Sequence, residues 1–230
     1  MEKSFSTLPG AWPYQVPQGK RAYVLAGPMS ILMLPDTSPE RVPDKSVILI
    51  EEDSGCMKDF YAQKIAVESS LQGKTVVYLT SHYKDDIVSQ MTRYQMRVPP
   101  TLQIIDHCHG PGPVREHCTG DLCILDPVSS MVLDLPLPEF RSFLSDLRQR
   151  SRTGGSYLLV SDMGVLPHQQ EQLLRAVADG VVRFLALQEG DKIRRYMHVL
   201  KMKGAIPVDK MIPFTVTEEG LLIDTRERLG

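Results

Sequence analysis

The chain has 230 residues, 42% of them hydrophobic and 23% charged, a globular composition with enough apolar material for one sizeable core. A net charge of −2 and a pI near 6.3 provide no broad basic field, so tight non-specific nucleic-acid binding lacks electrostatic support at the whole-chain level, although a local basic patch stays open. No apolar run approaches a bilayer span, and the N-terminus lacks the charged, apolar and small-residue succession of a signal peptide, which predicts a cytoplasmic protein without a membrane partner.

Pro9, Pro13 and Pro17 with Gly10 and Gly19 predict an irregular arm over residues 1–20, with Trp12 as its anchor, ahead of a single domain over 21–230. An apolar stretch at 22–34 and a turn-rich segment at 35–45 follow. The pattern then becomes regular: Val47 to Ile50 reads as a buried strand, and Tyr61, Ala62, Ile65, Ala66 and Ser69 share one helical face that ends at a C-capping Gly73. Between them lies an altered phosphate loop. An intact loop is G-x-x-x-x-G-K-[ST], whose glycines let backbone N–H groups close on phosphate, whose lysine reaches the β and γ oxygens and whose hydroxyl holds magnesium. Aligned on Lys58, this chain has Glu52 at the first glycine, Met57 at the second and Asp59 at the hydroxyl, while Gly55 and Lys58 survive. A carboxylate at Glu52 about 4 Å from phosphate would cost roughly 1 kcal/mol in water and roughly 4 kcal/mol at an effective dielectric of about 20. Asp59 is itself a magnesium-ligand type, so its effect on the metal is open.

Short apolar runs predict further strands at 75–80, 102–106, 122–126 and 157–161, each of the kind buried on both faces. Helical stripes separate most of them: Ile87, Val88, Met91 and Tyr94, then Phe140, Phe143, Leu144 and Leu147, the latter opened by Pro138 and Glu139 and closed by basic residues and Gly154. Two hairpins close the chain, 181–187 with 193–202 and 212–216 with 221–224. The fold class is therefore α/β, a mostly parallel central sheet flanked by helices with antiparallel hairpins at the C-terminal end.

Cys56, Cys108, Cys118 and Cys123 are too few for a disulfide framework and are expected to remain thiols. Residues 106–118 gather His107, Cys108, His109, His117 and Cys118, all zinc-ligand types, but the spacing is unlike the usual C-x-x-C pairs, and the expectation is a flexible loop without metal.

Three segments carry a family likeness. The strand, loop and helix of 46–72, the strand Leu122-Cys-Ile-Leu-Asp126, and the C-terminal runs Ala178-Asp-Gly-Val-Val182, Arg194 to Gly204 and Ile212 to Ile223 together resemble the RecA/KaiC group of P-loop ATPases, in that group's order. The resemblance implies a RecA-like core, ATP or ADP with magnesium between adjacent subunits, and assembly as a homo-oligomer or as a hetero-oligomer with a related ATPase. It maps cofactor-binding roles onto Gly55, Cys56, Lys58, Asp59 and Asp126, the last on a Walker B-like strand, and onto Lys201 and Lys203, which match a basic pair reaching a neighbour's nucleotide. Two solvated lysines on an edge strand are the alternative for that pair. Ser161-Asp162 falls where the group places nucleotide-sensing polar residues, or simply caps a turn. The acidic residues that activate water in the group have no counterpart: Ser81 and His82 stand in that region, and Asp85 and Asp86 follow at a helix start. The expectation is a degenerate RecA/KaiC-like domain with impaired or no ATP hydrolysis and no catalytic residue, acting as a regulatory or structural binding protein. The alternative is a slow ATPase in signalling or DNA transactions.

Overall fold

The computed structural model describes residues 44–53, 55, 57–203, 211–217 and 220–223. The predicted N-terminal arm, Trp12, the apolar stretch 22–34 and Cys56 lie outside them. In chain order the elements are β1 (Val47–Glu52), α1 (Met57–Leu71), β2 (Val76–Thr80), α2 (Lys84–Arg93), β3 (Leu102–Ile105), α3 (Gly112–His117), β4 (Leu122–Asp126) and α4 (Val128–Met131). They continue with α5 (Leu137–Thr153), β5 (Ser156–Asp162), α6 (His168–Val177), β6 (Gly180–Glu189), β7 (Lys192–Met202), β8 (Ile212–Thr217) and β9 (Gly220–Ile223).

The strands form one sheet in the order β3-β2-β4-β5-β1-β6-β7-β8-β9. Pairing is parallel from β3 through β6 and antiparallel from β6 onward. The parallel part is covered on both faces because successive side chains of a strand point to opposite sides. Ile48 and Ile50 face α1 and α2, whereas Val47 and Leu49 face α3 to α6. β1 is buried along its whole length and lies between β5 and β6, so its C-terminal end opens at the middle of the sheet edge.

Local chemistry accounts for the elements next to that edge. α1 has no Gly or Pro in its interior and carries Asp59 in its first turn, where a carboxylate meets the positive end of the helix dipole. It ends as a Schellman turn: the Gly73 N–H donates to the Ser70 carbonyl, the Lys74 N–H to the Ser69 carbonyl, and Gly73 takes φ +86°. Asp85 and Asp86 sit in the first turn of α2, as the pattern indicated.

Several expectations need correcting. β3 lies at one edge of the described sheet and is buried on one face only: Leu102 and Ile104 join the core on the α1 face, whereas Gln103 is exposed and Ile105 half-buried on the other. The 107–118 segment folds in part into α3, which buries Val114 in the core. Cys118 and Cys123 are joined as a disulfide, with Cα atoms 5.6 Å apart, because the end of α3 returns directly alongside the start of β4. Of the expected thiols that are described, only Cys108 remains free. α6 has no counterpart in the expected helices.

Candidate functional site

The C-terminal ends of four neighbouring strands bring together Thr80 on β2, Asp126 on β4, Asp162 on β5 and Glu52 on β1. Register sets this row: Thr80 pairs with Asp126, and Glu52 pairs with Asp162. Alternation from Ile48 and Ile50 turns Glu52 toward the α1 face, where the loop brings in the start of the helix.

The first helical N–H groups of an α-helix have no intrahelical partner and form an anion site. Two of them are taken here. Glu52 Oε2 accepts the Met57 N–H at 2.9 Å and the Lys58 N–H at 3.0 Å. Glu52 is 6% exposed. Burial raises its carboxyl pKa, and the two N–H bonds and Lys58 only partly oppose that. Gly55 leaves room for this arrangement: a Cβ there would crowd Glu52 Oε1.

Lys58, the residue that would reach the outer phosphates, points into the protein with a side chain 4% exposed. Its Nζ lies 2.6 Å from Asp59 Oδ1 and 2.8 Å from Asp162 Oδ1. Burial alone would lower the ammonium pKa, but the two carboxylates more than offset it and hold Lys58 charged. Asp162 is anchored in turn by Ser129 on α4, whose hydroxyl donates to Asp162 Oδ2 at 3.3 Å and accepts the Asp162 N–H at 3.1 Å.

Asp126 is 2% exposed and accepts a hydrogen bond from the Tyr78 hydroxyl. Desolvation, and next the charge of Asp59, push its pKa up to about 7 against the pull of Tyr78 and Lys58. Burial likewise raises Asp59, with Lys58 opposing. The Asp126 carbonyl accepts the Ser81 N–H at 3.4 Å, and the His82 N–H donates to Thr80 Oγ1 at 3.1 Å.

Of the residues predicted to hold nucleotide, the fold therefore brings Gly55, Lys58, Asp59 and Asp126 to one place. Lys201 and Lys203 lie elsewhere in the chain. Lys201 pairs with Val181, which is level with Leu49 near the start of β1, and its Nζ donates to the Ala176 carbonyl at 3.3 Å. Partial burial lowers its pKa. Lys203 stands just beyond β7, 4.0 Å from Asp179. Both face the sheet edge opposite their own loop.

The residues present do not fit a magnesium nucleotide as they stand. The helix N–H groups hold Glu52, Lys58 holds two carboxylates, and Asp126 holds Tyr78. The His/Cys segment does not converge on a metal either. Cys118 is tied to Cys123, Cys108 is buried with its thiol directed at the Ile105 carbonyl, and His107 packs edge-on against Tyr83. Among the described residues, no three His, Cys, Asp or Glu side chains are placed to share a metal ion.

Sequence reasoning treated Glu52 as a repulsive neighbour of a ligand and missed it as the occupant. It gave Asp162 no partner and Tyr78 no role. The Glu52–Asp162 register and the Tyr78–Asp126 contact join strands far apart in the chain, and no local pattern signals either.

No family model matches the chain, and no curated protein matches it in sequence. Solved structures do match in fold. The flagellar accessory protein FlaH from Methanocaldococcus jannaschii superposes with a TM-score of 0.70 at 16% identity, over 80% of this chain and 91% of that one. A KaiC-like protein from Pyrococcus horikoshii superposes with a TM-score of 0.67 at 15% identity, over the same shares of the two chains. The fold is RecA/KaiC-like. Among the described residues no helix is long and apolar enough to cross a membrane.

Proposed function

We propose that this chain is a RecA/KaiC-like domain with impaired or absent ATP hydrolysis, acting in the cytoplasm as a regulatory or structural binding protein. One observation carries the reading: the anion cradle at the start of α1 is filled by the chain's own Glu52 carboxylate. A nucleotide phosphate would have to displace that carboxylate and break the Lys58 ion pairs with Asp59 and Asp162. Each carboxylate left about 4 Å from a phosphate charge opposes it by roughly 1 to 4 kcal/mol, or about fivefold to a thousandfold in affinity. The buried, tyrosine-bonded Asp126 is poorly disposed to receive magnesium, and no carboxylate stands at Ser81 or His82 to activate water.

Assembly with a second copy or with a related ATPase belongs to the same reading. Lys201 and Lys203 face away from their own loop, so a role for them at a nucleotide requires a neighbour's. FlaH is named an accessory protein, which agrees with a role exerted through binding. The test is turnover: purified protein with ATP and magnesium is expected to release no phosphate above background. Magnesium-dependent turnover abolished by Lys58→Ala would make the chain a slow ATPase instead.

A further inference from the structure

We infer that Glu52 is a built-in phosphate surrogate, an internal carboxylate that ligates the start of α1 and holds its first N–H groups as a bound anion would, without any ligand. The inference deepens the functional reading above and rests on it, because a loop that ordinarily carried nucleotide would have no use for a resident anion.

Three features act together. The glutamate side chain reaches from the last residue of β1 to the first turn of α1, and a single oxygen, Oε2, receives both the Met57 and the Lys58 N–H. That is the geometry in which a helix N-terminus receives a phosphate oxygen. Gly55 lies against the other oxygen, where a Cβ would overlap Oε1, so that alanine at position 55 requires the carboxylate to shift. Lys58 supplies the cation that a phosphate loop directs at its anion, but here the ammonium is turned to Asp59 and Asp162, which leaves the cradle with one negative charge and no more. The surviving Gly55 and the loss of the first glycine thus have one explanation. Position 52 carries the ligand, and position 55 carries the space for it.

The consequence is a start of α1 whose first N–H groups are satisfied without nucleotide. A helix start that is ligated only by phosphate changes as nucleotide binds and leaves. A self-ligated helix start stays the same.

The experiment compares the wild-type protein with Glu52→Ala and Gly55→Ala, the second of which displaces the carboxylate without removing it. Hydrogen exchange at the Met57 and Lys58 amides and the melting temperature are measured in sodium pyrophosphate and in sodium chloride of equal ionic strength. Wild-type amides are expected to be protected with no anion added, and pyrophosphate is expected to leave the melting temperature where sodium chloride leaves it. In both variants the two amides should exchange on the order of tenfold faster, as loss of a capping bond of about 1.4 kcal/mol implies. In Glu52→Ala, pyrophosphate should then restore their protection and raise the melting temperature by about 3 °C at a tenfold excess over its dissociation constant. In Gly55→Ala, whose added Cβ crowds the same space, it should not. The double variant should exchange these two amides like either single one, since both disturb the same contact. Unchanged amide protection in the folded Glu52→Ala protein, or no response of that variant to pyrophosphate, overturns the inference while leaving the hydrolysis-deficient reading intact. A wild-type protein that responds to pyrophosphate as strongly as Glu52→Ala also overturns it. The functional reading itself falls only to magnesium-dependent ATP turnover by the wild-type chain.

Discussion

Glu51 and Glu52 are consecutive residues on one strand, both carboxylates are buried, and alternation sends them to opposite faces of the sheet. Glu51 meets fixed cations: Arg175 of α6 donates from Nε at 2.7 Å, and Arg183 of β6 donates from Nε at 2.8 Å. Arg175 is held in turn by Glu171, 3.1 Å away. Glu52 has no guanidinium. It is satisfied by backbone N–H groups at the start of a helix, the place where this kind of fold otherwise receives a ligand. The contrast separates two ways of burying a charge. On one face the protein built a permanent ion-pair network, and on the other it used a binding site as the partner.

That difference can be tested by removing each carboxylate. Glu51→Ala leaves two mostly buried guanidinium groups without their shared partner, and loss of about 3 kcal/mol in urea unfolding is expected. A loss under 1 kcal/mol would show that solvent reaches the arginines and that the network is not structural.

The pH dependence should come from the Glu52 face. Asp126, with its pKa raised to about 7 by burial, keeps a proton in the folded chain that the unfolded chain releases near pH 4. Stability therefore falls as pH rises from about 4 to 7 and levels off above that, at up to about 1.4 kcal/mol per pH unit for the group. Glu68, also raised to about 7 by burial, adds to the same slope. Asp126→Asn should reduce the slope between pH 5 and 7 by about half, read from urea midpoints. Stability that rises with pH across this window would show that Asp126 is an ordinary ionised carboxylate.

Glu52→Ala removes a cap and should cost about 1 kcal/mol, well below the Glu51 effect, because water can replace the carboxylate at the helix start. Equal losses at the two positions would erase the distinction between network and site. The smallest effect is expected at Lys203→Ala, within about 0.5 kcal/mol, since its 4.0 Å approach to Asp179 is exposed.

The parallel core was legible because β1, β2, β4 and β5 are short apolar runs, and α1, α2 and α5 carry apolar residues at helical spacing. α6 was not, because it opens with His168-Gln-Gln-Glu-Gln172 and offers few apolar residues to set a period. α3 was hidden by the Gly and Pro around it, and the Cys118–Cys123 bond by the assumption that few cysteines mean free thiols. At the site, local sequence marked the lost glycines and the retained Lys58. It could not show what fills the space, since the reach of Glu52 depends on the backbone at Gly55, and the neutralisation of Lys58 depends on the pairing of β1 with β5.

The central claim is that the cradle is already full. Calorimetric titration of the wild-type protein with ATP and with ADP, in the presence and absence of magnesium, tests it most directly. The account predicts no detectable heat at high protein concentration, with or without the metal. Micromolar, magnesium-dependent binding would contradict it.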